Sequence, residues 1–305
     1  MDSGMELRHL RYFVAVAEAL NFTRAAARLR VAQPALSRQV QDLEDEIGVD
    51  LLTRSPRGVA LTAEGKLFLE EARELLKRAD EAVEKTRALS RGEFGELQIG
   101  YSPSPTVEIL PAALGAFQQA VPRVTLRLHD LAGNELADGV RNGTLELAVM
   151  QRPIDANGVG LSFEPLHEYA ICVAVPPNHP FAKLKAVPLA RLALERLVVF
   201  RRREYADYHA LLARVFHGMH PLPAIAIECD GANSLMTEIA VGRGVAIVSA
   251  VFSNTFGARL KLRPLTPAPA PQEVGIVRAM KGDVTPAGEK FCAQLRAAAK
   301  KLSQR

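Results

Sequence analysis

The chain has 305 residues, and its 38 basic and 34 acidic side chains give a formal net charge of +4. Apolar residues make up 48% and charged residues 24%, which excludes wholesale disorder, and the length indicates two or three domains. No stretch approaches the ~20 uncharged apolar residues that a membrane span needs. Three widely spaced cysteines exclude a disulfide scaffold. These features predict a globular protein of the cytoplasm with no cofactor and no metal.

The first sixty residues follow a helix-turn-helix pattern. Apolar residues at helical spacing predict a helix over 7–20, and Thr23 is predicted to cap a second helix that ends at Leu29. Pro34 lies in the first turn of a third helix, which should end before Gly48. Residues 51–61 then predict a two-stranded hairpin, or wing, with a basic tip. We therefore expect a winged helix-turn-helix domain over residues 1–61.

Basic and acidic residues are separated within this segment. Residues 21–40 contain four Arg and no acid, whereas residues 42–50 contain five acids. One surface should therefore be basic and another acidic, as contact with phosphates requires. On spacing and charge alone, an ordinary three-helix bundle with two solvated faces is an equal alternative.

The third helix is the candidate for reading bases. In the major groove Gln pairs well with adenine, Arg pairs well with guanine, and a small apolar side chain fits the thymine methyl group. Thr23, at a helix N-terminus, suits a phosphate oxygen, and an arginine of the wing could reach a phosphate or the minor groove. The candidate DNA-binding residues are Thr23, Gln33, Pro34, Ala35, Ser37, Arg38, Arg54 and Arg57.

The same residues resemble the N-terminal domain of LysR-type transcriptional regulators. The resemblance rests on Leu10-Arg11-Tyr12-Phe13, Phe22-Thr23-Arg24-Ala25-Ala26, Gln33-Pro34-Ala35-Leu36-Ser37 and Leu61-Thr62-Ala63-Glu64-Gly65. It implies double-stranded promoter DNA as a partner, a homotetramer built from dimers, and contact with RNA polymerase. Residues 5–13 and 33–39 are also similar to the branch that regulates benzoate and catechol breakdown.

One long helix is predicted over residues 62–91, with Thr62 as its cap. Apolar or small residues recur there at alternating steps of four and three, from Phe68 through Ala72 and Leu75 to Leu89. This heptad seam between charged flanks predicts a dimerisation helix, and packing on its own domain is the alternative. The resemblance implies an antiparallel pair of such helices.

Short strands alternate with helices over residues 95–305, which predicts an α/β fold with mostly parallel sheets. The predicted strands are 97–101, 124–129, 145–150, 197–200, 224–228, 245–248 and 272–278, and the predicted helices are 106–120, 134–142, 204–217, 231–242 and 284–302. We expect a first lobe of 95–165 with 270–305, and a second of 166–268. The chain should cross between them near Leu166 and return through the Pro-rich residues 265–271. The resemblance implies a two-lobed effector domain like a periplasmic solute-binding protein.

Ligands of open α/β sheets bind beyond the carboxyl ends of the strands, so polar residues there predict an effector cleft. The candidate effector-binding residues are Ser102, Ser104, Thr106, Gly133, Gln151, Arg201, Arg202 and Asn233. Hydroxyls and backbone N–H groups at a helix start suit a carboxylate, which predicts an organic acid. By the resemblance, Ser104 aligns with an effector-contacting hydroxyl. The benzoate and catechol branch, however, has a hydroxyl residue at the position of Gly133 and an Arg at that of Gln151. An acidic effector would then have to be anchored by the arginines at 201–203 instead.

These observations predict a transcriptional regulator that responds to a small-molecule effector. The alternatives are a regulator without a dedicated effector, an α/β enzyme and a solute receptor for transport. No G-x-S-x-G, Walker or G-x-G-x-x-G motif supports the enzyme. A transport receptor would need a signal peptide and would not carry a helix-turn-helix.

Overall fold

The computed structural model describes residues 4–55, 58–154, 160–281 and 284–304, and of residues 103, 104, 255 and 256 it describes the backbone alone. The chain divides into two compact units, Met1–Ala88 and Leu89–Arg305. The helices are α1 (Leu7–Ala19), α2 (Phe22–Leu29), α3 (Gln33–Ile47), α4 (Ala63–Ser90), α5 (Pro103–Thr106), α6 (Leu110–Ala120), α7 (Gly133–Arg141), α8 (Leu189–Leu192), α9 (Ala206–Val215), α10 (Ala232–Ala240), α11 (Phe252–Phe256) and α12 (Pro286–Leu302). The strands are β1 (Leu52–Ser55), β2 (Gly58–Leu61), β3 (Gly95–Tyr101), β4 (Val124–Asp130), β5 (Leu147–Gln151), β6 (Leu161–Tyr169), β7 (Ile171–Val175), β8 (Val187–Pro188), β9 (Arg196–Phe200), β10 (Ala224–Cys229), β11 (Ala246–Ser249), β12 (Lys261–Thr266) and β13 (Gln272–Ala279).

The first unit is a winged helix-turn-helix, as predicted. Its core is built from Phe13 of α1, Ala26 of α2 and Leu36 of α3, all fully or almost fully buried. Strands β1 and β2 pair antiparallel to form the wing. The cap of α2 differs from the prediction, because Asn21 Oδ1 accepts the backbone N–H of Arg24 at 2.9 Å. Asn21 rather than Thr23 therefore begins this helix, as is usual for a short side-chain acceptor at the N-cap.

The second unit, the regulatory unit, has two lobes. The first lobe is a five-stranded sheet in the order β4-β3-β5-β13-β6. Helices α6 and α12 cover one face, where the rings of Phe117 and Phe291 meet edge to face with their centroids 5.4 Å apart. Leu136 of α7 packs against Met150 and Leu161 in a separate core on this lobe. Because the helices cover the faces of this sheet, the ends of its strands remain available to form a ligand-binding site.

The second lobe contains the sheet β11-β7-β12-β8 and the parallel pair β10-β9, which a bridge between Leu197 and Val245 links to the segment before β11. Its core gathers Val173, Val198 and Ile247 from the strands with Leu211 of α9 and Leu235 of α10. The chain enters this lobe between β6 and β7 and leaves it between β12 and β13.

The prediction of mostly parallel sheets is wrong. Strand β13 is antiparallel to β5 and β6, and β7 is antiparallel to β11 and β12. The sequence analysis also missed β6, β7, β8 and β12. Strand β13 pairs with β5 and β6 only after the chain has passed through the second lobe, and local sequence patterns do not specify the direction of such a distant pairing.

The single helix predicted over 106–120 is also wrong. The structure has the short helix α5 and then α6, which begins at Leu110. Pro111 lies in the first turn of α6, where the missing proline N–H costs nothing and its fixed φ favours a helix start. Within the part of the chain that the structure describes, no helix is long and apolar enough to cross a membrane.

Candidate functional sites: the recognition helix and the interlobe cavity

The first two turns of α3 present a polar outer face. Gln33, Pro34, Ala35 and Arg38 are exposed, whereas Leu36 is fully buried on the opposite face. The helical repeat therefore separates the residues that hold α3 in the core from those that can meet a partner. These four candidate DNA-binding residues share one accessible surface.

The arginines in and around α2 and α3 divide into those with an ion-pair partner and those without one. Arg28 pairs with Glu18 at 2.9 Å, and Arg73 of α4 bonds the other oxygen of the same carboxylate. The hydrogen bonds from these two guanidinium groups lower the pKa of the Glu18 carboxyl, and the bond from Arg73 has the larger effect. Among the described residues, Arg30 and Arg38 have no ion-pair partner, and both are exposed. Arg38 is therefore an unpaired cation on the outer face of α3, within the part of the chain that the structure describes.

Arg54 is held against the inner side of the wing. Its guanidinium lies 3.1 Å from Glu44 Oε2 and 3.4 Å from Ser37 Oγ, and it stacks over the ring of Phe22 at 5.1 Å. The Arg54 side chain is 39% exposed, whereas that of Glu44 is 3% exposed. Ser37 is half-buried by the same contact, and Thr23 is exposed at the start of α2. Arg57 lies outside the described residues.

Glu44 ties the recognition helix to the wing. Its Oε1 accepts the backbone N–H groups of Leu51 and Leu52 at 2.8 and 2.9 Å, while its Oε2 accepts Arg54. This buried carboxylate connects α3 to β1 at three points, and sequence reasoning missed it because it lies within a run of acids that suggested a solvated face. Its position on the buried heptad of α3, one turn after Val40, was the available signal.

A cavity of about 830 Å³ lies between the two lobes of the regulatory unit. We call it the interlobe cavity, and it collects residues that follow the carboxyl ends of strands, as predicted. Ser102, Gln151 and Asn233 line it, and these are three of the candidate effector-binding residues.

Four of the other candidate effector-binding residues, Thr106, Gly133, Arg201 and Arg202, are not among the described residues that line the cavity. Thr106 is buried and donates its hydroxyl to the Ser102 carbonyl at 2.6 Å. Gly133 begins α7, where a Cβ would lie 3.3 Å from Asp207 Oδ2. Arg201 and Arg202 are exposed in the turn before α9 and lie outside the wall, because that turn directs them to solvent. The side chain of Ser104 lies outside the described residues.

The wall carries aromatic rings and carboxylates that sequence reasoning did not single out as site residues. The rings are Phe200, Tyr205, Tyr208 and Phe252, and the acids are Asp130, Glu135, Glu204 and Asp230. Within the described part of the chain, no Lys, Arg or His lines the cavity. The predicted organic acid would therefore meet four carboxylates and no cation. The spacing of Tyr205 and Tyr208 at i and i+3, just after a strand end, was the signal available in the sequence.

The carboxylates of the wall surround Tyr205. Burial raises the pKa of the Tyr205 hydroxyl, and the negative charges of Asp130, Asp230 and the two glutamates raise it further. Burial also raises the pKa of Asp130. The pKa of Asp230 is lowered, because Ser234 donates its hydroxyl to Asp230 Oδ1 at 2.6 Å.

Three polar atoms of cavity-lining residues are buried and have no hydrogen-bond partner among the described residues. They are Glu204 Oε2, the Tyr208 hydroxyl and Ser249 Oγ. A buried polar group without a partner costs about 1–3 kcal/mol. Three of them on one cavity are therefore typical of a site that a polar ligand completes.

Hydrogen bonds join the two lobes beside the cavity. Asn134 Nδ2 donates to the Arg203 carbonyl at 2.8 Å, and the Ile154 N–H donates to Asp207 Oδ1 at 2.9 Å. Asn254 Nδ2 donates to Glu108 Oε1 at 2.8 Å. These contacts fix the angle between the lobes in the conformation that the structure shows.

A winged helix-turn-helix and a two-lobed unit with a ligand-sized cavity define a class, the helix-turn-helix transcriptional regulators with a substrate-binding domain. Residues 7–66 match the family described as bacterial regulatory helix-turn-helix protein, lysR family, and residues 90–300 match the LysR substrate binding domain. The chain belongs to the LysR family of transcriptional regulators, so the enzyme alternative is wrong.

Relatives match along nearly the whole chain. An uncharacterised HTH-type transcriptional regulator, YnfL of Escherichia coli (strain K12), is 34% identical over 94% of this chain and 97% of its own length. The Hca operon transcriptional activator HcaR of the same organism is 33% identical over 95% and 96%. The crystal structure of full-length CbnR complexed with its target DNA covers 97% of this chain and all of that chain, with a TM-score of 0.81 and 30% identity. The fold class predicted from the sequence is confirmed.

Proposed function

We propose that this protein binds promoter DNA in the cytoplasm as a homotetramer built from two dimers and changes transcription when a small molecule occupies the interlobe cavity. The observation that carries the proposal is the exposed face of α3, which presents Arg38 beside Gln33, Pro34 and Ala35. Such a face can enter the major groove and reach base edges. That the related CbnR was solved with its target DNA supports the same role.

Within this proposal the wing and α2 position the recognition helix. Thr23, exposed at the start of α2, would meet a phosphate, and the half-buried Ser37, which accepts from Arg54, would contact the DNA backbone or a base from α3. Arg54 acts mainly through its bonds to Glu44 and Ser37, which set the angle of the wing. Arg57, at the wing tip, is proposed from the sequence alone.

Arg38→Ala should weaken specific DNA binding by about tenfold to a hundredfold, because a bidentate contact between arginine and a base contributes ~1–3 kcal/mol. The measurement is fluorescence anisotropy of the full-length protein on a duplex that the wild-type protein selects from a random pool. The control is Arg127→Ala, which removes another exposed arginine, one that pairs with Glu96 at 3.4 Å in the regulatory unit. Equal affinity of both variants and the wild type would contradict the proposed role of α3.

The long helix α4 supports self-association. Ala72 is fully buried and Phe68 packs in the core of its own unit, so the first part of the predicted seam serves that core. Further along the seam, Leu75 is 44% exposed and Leu89 is 57% exposed, and Ala82 between them is also exposed. The first part of the seam therefore packs on its own unit, whereas the exposed part is available for a partner. We propose that the exposed part pairs with a second copy of the chain.

Leu75→Glu combined with Ala82→Glu should convert the assembly to species of lower mass, because two carboxylates would then have to be buried in an apolar helix pair. Sedimentation velocity of the full-length protein measures this. Leu194→Glu is the control, since Leu194 is 74% exposed in the regulatory unit. An unchanged mass distribution in the double variant would exclude α4 as the dimer contact.

The effector would act on the angle between the lobes. A ligand shifts a conformational equilibrium only through different affinities for the two states. Here the difference would arise where a ligand contacts both lobes and competes with bonds such as Asn134 to Arg203. We propose that the altered angle repacks the tetramer, relaxes a bend in the bound DNA and changes contact with RNA polymerase.

A further inference from the structure

We propose that the effector is an organic amine, whose ammonium group is held by Glu204, Asp130 and Asp230 and whose apolar body lies against the aromatic wall. This inference rests on the proposed function, because it names the ligand of the interlobe cavity. It replaces the organic acid predicted from the sequence.

The first step is charge. Asp130, Glu135, Glu204 and Asp230 line the cavity, and the described lining contains no basic side chain. The hydrogen bond from the Ser234 hydroxyl has the largest effect in lowering the pKa of Asp230, and Arg201, which lies outside that lining, is the cation whose charge also lowers it. All four carboxylates act on the same hydroxyl, that of Tyr205, so they lie around one region of the cavity. A carboxylate ligand would add negative charge to this region, whereas an ammonium group would neutralise part of it.

The second step concerns the helix N-termini, which are the usual anion sites of such a cleft. At the start of α7, Glu135 Oε2 accepts the backbone N–H of Ala132 at 3.0 Å. At the start of α10, Ser234 Oγ accepts the N–H of Gly231 at 3.2 Å and donates to Asp230. The carboxylate of Glu135 therefore occupies the anion position of α7, and at α10 the Ser234 hydroxyl takes the N–H of Gly231 and holds the Asp230 carboxylate beside the helix start.

The third step is hydrogen bonding. Glu204 Oε2 is buried without a partner in the described structure, and a carboxylate oxygen can only accept. An ammonium group carries three donors and no acceptor, so it satisfies such an oxygen directly. The unpartnered hydroxyls of Tyr208 and Ser249, both more than nine-tenths buried, can accept further donors from the same ligand.

The fourth step is shape. Phe200 packs against Tyr205 and Tyr208 with ring centroids 4.7 and 5.0 Å apart, and this cluster forms one wall of the cavity. Aromatic faces attract cations, and their area buries an apolar ligand body. Amines with an aromatic or aliphatic chain combine both properties.

The test uses two matched series on the full-length protein: benzylamine, benzyl alcohol and benzoate, then hexylamine, hexanol and hexanoate. Within a series the body is constant and only the charged or polar end changes. Titration calorimetry gives Kd, and thermal unfolding at a hundredfold excess over Kd gives an independent shift. Anisotropy on the selected duplex is measured on the same samples.

We expect the amines to bind, the alcohols to bind more weakly and the acids not to bind. Glu204→Gln should weaken the amines by about tenfold or more and leave the alcohols unchanged, because it removes charge but keeps the shape of the side chain. The control is Glu228→Gln, an exposed carboxylate on β10 outside the cavity lining. Glu204→Lys should reverse the preference toward benzoate and hexanoate.

Binding of the acids in preference to the amines would overturn the inference and leave a small-molecule effector in place. Absence of binding by all six probes, with DNA binding intact, would also overturn it. Failure of the proposed function has a different signature, because the protein would then select no duplex in the absence of any probe.

Discussion

Glu44→Ala is expected to destabilise the DNA-binding unit by about 3 kcal/mol, because it leaves buried polar groups without partners. The side chain accepts the N–H groups of Leu51 and Leu52 and the guanidinium of Arg54. Alanine removes all three acceptor contacts at once, and the surrounding core excludes the water that could replace them. The loss should free the wing from α3 and weaken DNA binding as well.

The experiment is hydrogen exchange of the full-length protein, followed in peptides that cover residues 48–61. The exchange of the Leu51 and Leu52 amides should accelerate by at least tenfold. Asp45→Ala is the control, because Asp45 lies on the exposed side of the same helix and accepts only the Gln41 amide at 3.1 Å. Equal protection in the two variants would show that the three contacts of Glu44 carry little free energy.

Gly65→Ala is expected to destabilise the same unit by about 3 kcal/mol or more, because one added methyl group has no space. A Cβ at Gly65 would lie 1.9 Å from the Leu51 carbonyl oxygen and 2.8 Å from its carbon. That carbonyl cannot easily move, since it accepts the N–H of Thr62 at 3.1 Å, and the Thr62 hydroxyl is shared between it and the Asp50 carbonyl at 3.1 and 2.9 Å. Either the start of α4 or strand β1 must shift.

Gly115→Ala is the control, because we expect it to change the free energy of unfolding in the opposite direction. Gly115 lies inside α6 and is exposed, and a Cβ there would have no atom within 4 Å. Alanine should therefore stabilise the regulatory unit by up to ~1 kcal/mol through helix propensity. Urea unfolding of both full-length variants measures the two changes in the free energy of unfolding. Hydrogen exchange assigns each unfolding transition to one of the two units. Two changes of the same sign would contradict the packing at Gly65.

The elements that sequence reasoning predicted well are those specified by neighbouring residues. Helix α3 begins with Gln33 and Pro34 and ends at Gly48, whose φ of 81° places it in the left-handed region. Hydrophobic spacing and a terminating glycine act within a few residues, so the sequence displays them directly. The failures are of another kind. Residues 161–175 form two strands in different lobes, and their partners lie about a hundred residues further along the chain.

The candidate sites follow the same division. The sequence by itself determined the family, the outer face of α3 and three residues of the cavity, because these depend on local motifs and on where strands end. Only the tertiary structure decided that Arg54 turns inward to Glu44, that Arg201 and Arg202 leave the wall, and that acids and aromatic rings form it. Residues at the carboxyl ends of six strands, β3, β4, β5, β9, β10 and β11, meet there. Their distances and burial, rather than their order in the chain, set the charge that a ligand encounters.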